Sequence, residues 1–277
     1  MSKIYDALRK AAHEGPEGPG RSEEPSRSGP APVPEPSPEP AGQAPAAPPP
    51  PVPQDFPRAP GEEELPPLSG EFARELSSLR ASIEQVLPDA PQRTILVTGS
   101  VPGEGASTVA ARFAQFLGED SRLRVALVDA DMRNAEPRPV ELVEPGTGLA
   151  SVLAGTRSPR DAVRATGFGN LDVLPSEGVA TDPYSLCTAD RVQPFLNYLR
   201  GQYHYAVLDA APVLSAPETA LLADLVDGVI LVVRSGKTKR EVIQRSLDRL
   251  RSYRATVLGV VMNRQQYVIP EFIYRRL

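Results

Sequence analysis

The sequence predicts an α/β domain with a doubly wound, mainly parallel sheet flanked by helices, preceded by a disordered proline-rich segment. Three observations predict it. Short apolar runs rich in Val, Ile and Leu alternate with stretches of helical periodicity. They lack polar alternation, as strands buried on both faces do. The first run passes into a glycine-rich turn and then a helical pattern, the layout in which backbone N–H groups face an anion. More than half of the 32 prolines fall before Pro67, which separates a low-complexity segment from the rest.

In chain order, residues 1–13 read as a short helix, with Ser2 as N-cap and Ile4, Leu8 and Ala11 on one face. A helix this short is marginal alone; it is either a frayed terminus or a docking helix that folds on a partner. Residues 14–67 are rich in Pro, Glu, Ala and Ser, and the reading is a disordered spacer with local polyproline II. From residue 68 a folded domain is expected to run to residue 277, about 210 residues, enough for one core. Phe72, Leu76, Leu79, Ile83 and Leu87 mark one face of a helix that Pro88 ends. Strands are predicted at 94–98, 125–128, 171–174, 206–208, 229–233 and 257–261. Sheets of this kind bind ligands at the carboxyl ends of their strands.

Composition narrows the chemistry. A single cysteine, Cys187, excludes an internal disulfide, and with only His13 and His204 a zinc site or Cys/His catalysis is not expected. No apolar run approaches the ~18 residues of a membrane span, and the N-terminus lacks a signal-peptide core, so a cytoplasmic location is expected. Residues 1–67 carry 6 basic and 11 acidic residues, leaving 24 of each in the domain. A neutral domain on an acidic tether gives no reason to expect nucleic acid.

Three strand ends carry the candidate chemistry. After the first strand comes Gly99-Ser100-Val101-Pro102-Gly103-Glu104-Gly105-Ala106-Ser107-Thr108. Gly103 and Gly105 let the backbone approach phosphate, and the Ser107 hydroxyl suits Mg²⁺. The second strand leads into Asp129-Ala130-Asp131-Met132-Arg133, with two carboxylates two residues apart. A later strand leads into Asp209-Ala210-Ala211-Pro212, and an Asp there is the usual Mg²⁺ partner of the loop hydroxyl. Singly, each Asp reads as a cap or turn residue. Together, in this order, they read as a P-loop nucleotide site.

This combination resembles the bacterial tyrosine kinases of capsule and exopolysaccharide synthesis, the CpsD/CapB family, relatives of the MinD/ParA ATPases. The resemblance covers roughly residues 70–265. Pro102-Gly103-Glu104-Gly105-x-Ser107-Thr108 is similar to the family's first nucleotide motif, Asp129-x-Asp131-x-Arg133 to its second, and Leu208-Asp209-x-x-Pro212 to its third. The runs 148–155, 171–175, 226–234 and 258–264 also fit, as does the opening Met1-Ser2-Lys3-Ile4-Tyr5-Asp6-Ala7-Leu8. The resemblance implies ATP and Mg²⁺ as cofactors. It implies nucleotide contacts from Gly103, Glu104, Gly105, Ala106, Ser107, Thr108 and Asn263, the last facing adenine. Mg²⁺ would be held by Ser107, Asp129 and Asp209. Asp129, Asp131, Arg133 and Asp209 would be catalytic, with Asp131 near the acceptor hydroxyl. The implied partner is the cytoplasmic part of an inner-membrane polysaccharide co-polymerase, which would recruit the protein to the inner face of the membrane.

The chain departs from the family in three places. Ala106 stands where the family has the phosphate-binding lysine, so turnover is expected to be weak or absent, with Arg133 as the nearest substitute cation by motif. The tail offers only Tyr267 and Tyr274 as phosphorylation sites in place of a dense tyrosine cluster. The family's ring-forming E-x-x-R-x-x-R pattern reads Glu71-x-x-Arg74 followed by Ser77, so a homo-oligomer is open but a family-like ring is not expected. The expected function is therefore that of a pseudokinase. The alternatives are an active tyrosine autokinase and a ParA/MinD-type positioning ATPase. For the last, the basic residues of helix 239–254 would meet DNA or lipid; the simpler reading is a solvated basic face on a sheet-packing helix.

Overall fold

The computed structural model describes residues 68–133, 148–166, 168–177 and 179–264. The N-terminal helix and linker, and both tail tyrosines, lie outside these residues. The described chain runs α1 (Gly70–Val86), β1 (Arg93–Gly99), α2 (Ala106–Gly118), β2 (Val125–Asp129), α3 (Leu149–Leu153), α4 (Pro159–Ala162), β3 (Arg164–Ala165) and β4 (Leu171–Leu174). It continues with α5 (Pro183–Leu186), α6 (Ala189–Gln202), β5 (Tyr205–Asp209), α7 (Pro217–Leu225), β6 (Gly228–Arg234), α8 (Arg240–Ser252) and β7 (Val257–Asn263).

The strands form one seven-stranded sheet in the order β3-β4-β2-β5-β1-β6-β7. All neighbours are parallel except β3, which pairs antiparallel with β4. The central strands are apolar because both faces are covered. Ile95, Val97, Leu127, Val207, Ile230 and Val232 pack under α1 and α2. Leu96, Val128, Leu208, Val229 and Leu231 face the other way, against α3, α6, α7 and α8.

The caps follow local chemistry. The Ser69 hydroxyl accepts from Phe72 N (3.4 Å) at the start of α1, and Asp182 caps α5 by accepting from Ser185 N (3.2 Å). Helix α8 places Leu250 in the core with Ile243 and Leu247 packed beside it, and Arg240, Arg245 and Arg251 are exposed on its outward side. Among the described residues no helix is long and apolar enough to cross a membrane.

Candidate functional site

The strand order brings three strand ends together. β2, β5 and β1 are consecutive neighbours, with Asp129 opposite Asp209 and Val97 opposite Asp209. Adjacent strands lie about 4.8 Å apart, so Asp129 and Asp209 stand side by side at the carboxyl edge. Backbone pairing continues past the ends: Ala130 N donates to Asp209 O (2.7 Å), Ala210 N to Val97 O (3.0 Å) and Val213 N to Gly99 O (2.9 Å). In the turn after β2, Asp131 N donates to Asp129 Oδ1 and Arg133 N to Asp131 Oδ1, both at 3.0 Å. Short Asp side chains suit that role, since they bond backbone two residues on. All three carboxylates are buried: Asp129 is 8 %, Asp131 1 % and Asp209 0 % exposed.

The loop after β1 is shaped by two glycines with left-handed φ, +83° at Gly103 and +87° at Gly105. At Gly105 a side chain is excluded twice over, because a Cβ would also lie 2.2 Å from Asn263 Nδ2. Gly105 is the N-cap of α2, with no side-chain cap. The first backbone donors of that helix, from Ala106 onward, therefore have no intrahelical acceptor and are available to an anion. Ala106 and Ser107 are partly exposed and Thr108 is exposed.

Glu104 points away from this opening. Its buried carboxylate accepts from Ser100 N (2.5 Å) and Val101 N (3.0 Å) through Oε2, and from the Thr238 hydroxyl (2.5 Å) through Oε1. Asn263 donates from Nδ2 to Glu104 O (2.9 Å), so the end of β7 also grips the loop. The structure thus brings Glu104, Gly105 and Asn263 together and gathers Asp129, Asp131 and Asp209 on the other flank.

Arg133 goes elsewhere. Its guanidinium forks onto the Glu218 carboxylate, with Nε on Oε1 and Nη2 on Oε2 (2.8 Å). Glu218 is 2 % exposed and raises the Arg133 pKa. Thr238 and Glu218 were missed in the sequence. Thr238 was findable, because it lies just past a strand end at the carboxyl edge; nothing local marks Glu218. Cys187 is buried, and burial pushes its thiol up to about 12, so it is no nucleophile.

The donor set fits Mg²⁺. That ion is held by one or two carboxylates together with substrate phosphates and waters. Asp129, Asp209 and the Ser107 hydroxyl supply that number of hard oxygen donors. Among the described residues no group of three His, Cys, Asp or Glu side chains forms a self-sufficient metal cage.

Fold and rim define a domain with the fold of the P-loop NTPases. The chain is 30 % identical over 186 residues to tyrosine-protein kinase YwqD of Bacillus subtilis, covering 67 % of this chain and 78 % of that one. It is 26 % identical over 196 residues to the succinoglycan biosynthesis transport protein ExoP of Rhizobium meliloti, 70 % of this chain but only 25 % of ExoP. Among solved structures, the chimerical protein CapA2B2 matches at TM-score 0.66 and 25 % identity, over 72 % of this chain and 87 % of that one. The BceF tyrosine kinase domain matches at TM-score 0.61 and 30 % identity, over 69 % and 76 %. MinD from Pyrococcus horikoshii, complexed with Mg-ADP, shares the fold at TM-score 0.52 and 23 % identity, over 67 % and 76 %. No family model matches the chain. The chain belongs to the bacterial tyrosine-protein kinases.

Proposed function

We propose that this protein is a nucleotide-binding pseudokinase that regulates exopolysaccharide or capsule polymerisation and export by binding rather than by phosphotransfer. The observation that carries the reading is the rim itself. The left-handed glycine loop, Ser107 and the buried carboxylates Asp129, Asp131 and Asp209 are all present, while helix α2 opens on Ala106 in place of lysine. Bound Mg²⁺ would supply positive charge to offset the negative charge of the phosphates. Ser107, Asp129 and Asp209 would hold it, and the α2 N-terminus would take the phosphates.

Losing one charge-assisted contact costs binding roughly 1.5–3 kcal/mol, about 10- to 150-fold. Losing a cation aimed at the transition state costs on the order of 10³-fold in rate. Binding therefore outlasts turnover. The name of ExoP, a succinoglycan biosynthesis transport protein, supports a place beside polysaccharide assembly, and the partner we propose is the cytoplasmic part of an inner-membrane co-polymerase. In this reading residues 1–13 dock on that partner, 14–67 form the tether and 68–277 the kinase-like domain.

The test is calorimetric titration of Mg-ATP and Mg-ADP into the full chain and into Ala106→Lys, with mass spectrometry for phosphotyrosine. Micromolar binding by both, with phosphate on Tyr267 or Tyr274 only in the lysine variant, is expected. Phosphotransfer by the unaltered chain at the variant's rate overturns the pseudokinase reading. Absence of binding overturns nucleotide recognition.

A further inference from the structure

We infer that the loop between β6 and α8 supplies the cations that the P-loop lacks: Lys237 and Lys239 contact the phosphates of a bound nucleoside di- or triphosphate. This rests on the nucleotide reading above and extends it to residues outside the three motifs.

Position comes first. β6 is the neighbour of β1 on the side opposite β5, with Gly99 opposite Val232. The loop after β6 therefore lies at the same carboxyl edge as the P-loop. It is also fastened to the P-loop. The Thr238 hydroxyl donates to Glu104 Oε1 (2.5 Å) and accepts from Arg234 N (3.1 Å). Lys237 N (3.2 Å) and Thr238 N (3.0 Å) both donate to Arg234 O, and Ser235 N donates to Asn263 O (2.9 Å). Asn263 closes the ring by donating to Glu104 O (2.9 Å). Lys237 and Lys239 bracket Thr238, the residue of this loop whose side chain bonds the Glu104 carboxylate. Both are exposed, and neither forms a salt bridge with the described residues.

Charge is distributed to match. Residues 68–233 carry 13 basic and 21 acidic side chains, a net of −8, whereas residues 234–264 carry 9 basic and 2 acidic, a net of +7. The sheet order sets the P-loop between these regions, with Asp129 and Asp209 on the β2–β5 flank and the basic loop on the β6–β7 flank. A metal–nucleotide complex has the same polarity, a divalent cation beside an oligophosphate anion. Arg133, the cation after β2, is engaged by Glu218. A flexible lysine on a four-carbon stem provides a point charge for phosphate without the rigid fork of arginine. Contact from this flank holds the ground-state phosphates while leaving the α2 end without its cation, so it favours binding without transfer.

The test uses the full chain carrying Lys237→Ala and Lys239→Ala, titrated with Mg-ATP and Mg-ADP. A second double variant, Arg245→Ala with Arg251→Ala, removes the same charge from exposed positions on α8. The loop variant should bind both nucleotides about 10- to 100-fold more weakly, and adding Ala106→Lys should restore affinity. The α8 variant should stay within twofold of the unaltered chain. Unchanged affinity in the loop variant, or an equal loss in both variants, overturns the inference while leaving nucleotide binding intact. No nucleotide binding by the unaltered chain overturns both. Unchanged thermal unfolding of the loop variant confirms that the fold survives.

Discussion

Removing the Glu104 carboxylate tests whether the P-loop is held from behind. Glu104→Ala strands three donors: Ser100 N, Val101 N and the Thr238 hydroxyl. Val101 is exposed, and its N–H turns to water at little cost. Ser100 is fully buried and Thr238 partly so, and hydrogen bonds to a charged group contribute about 1.5–3 kcal/mol each. The expected loss is on the order of 3–5 kcal/mol, which at about 2–4 °C per kcal/mol lowers Tm by roughly 10 °C. Glu104→Gln should cost nearly as much, since a carboxamide brings its own donors against donors. The decisive assay is a double-mutant cycle with Thr238→Val, read by urea or thermal unfolding of the full chain. A coupling of about 1–3 kcal/mol is expected for residues sharing a 2.5 Å bond. Additivity within about 0.5 kcal/mol would refute the idea that the two loops are one mechanical unit.

Two other perturbations have definite signs. Gly105→Ala forces a Cβ to 2.2 Å from Asn263 Nδ2 at φ +87°, so a loss of roughly 2–3 kcal/mol is expected, together with weaker nucleotide binding; a neutral result in unfolding and calorimetry counts against this backbone shape. Burial raises the carboxyl pKa of Asp172 even though the Tyr203 hydroxyl donates to it at 2.9 Å. The folded state therefore holds that proton more tightly than the unfolded one, and stability falls as pH climbs from the unfolded pKa through the folded one. Asp172→Asn keeps an acceptor for Tyr203 and loses the charge, so it should raise Tm by a few degrees at pH 7 and leave it unchanged near pH 3; a Tm lowered at pH 7 contradicts the burial penalty.

The elements legible in the sequence were those whose cause is local. Strands buried on both faces announce themselves as apolar runs, and all six predicted ones lie within the observed β1, β2, β4, β5, β6 and β7. β3 was not read, because two residues carry no period, and its antiparallel pairing is made by β4 rather than by anything in Arg164-Ala165. At the rim, Gly103, Gly105 and the aspartates were legible from spacing. The role of Glu104 was not. In a glycine-rich loop a glutamate reads as facing the ligand; here it faces its own backbone and a threonine 134 positions away. The Arg133 pairing with Glu218, 85 positions on, is equally silent in the sequence. Such partners are chosen by the strand order, which brings distant loops to one edge and which no local period encodes.

Alanine at residue 106 leaves the shape of the loop intact. The loop takes its shape from left-handed φ at Gly103 and Gly105, the inward Glu104 carboxylate, Thr238 and Asn263. Residue 106 contributes none of these contacts; its methyl rests against the α1–α2 core, and alanine has the highest intrinsic helix propensity. Exchanging lysine for alanine there removes charge and leaves geometry. Three buried acids crowd two adjacent strand ends against the cost of burial. Their presence beside an intact amide cradle makes sense if a cation and its phosphates still complete the rim, with the balancing positive charge drawn from the β6–α8 side.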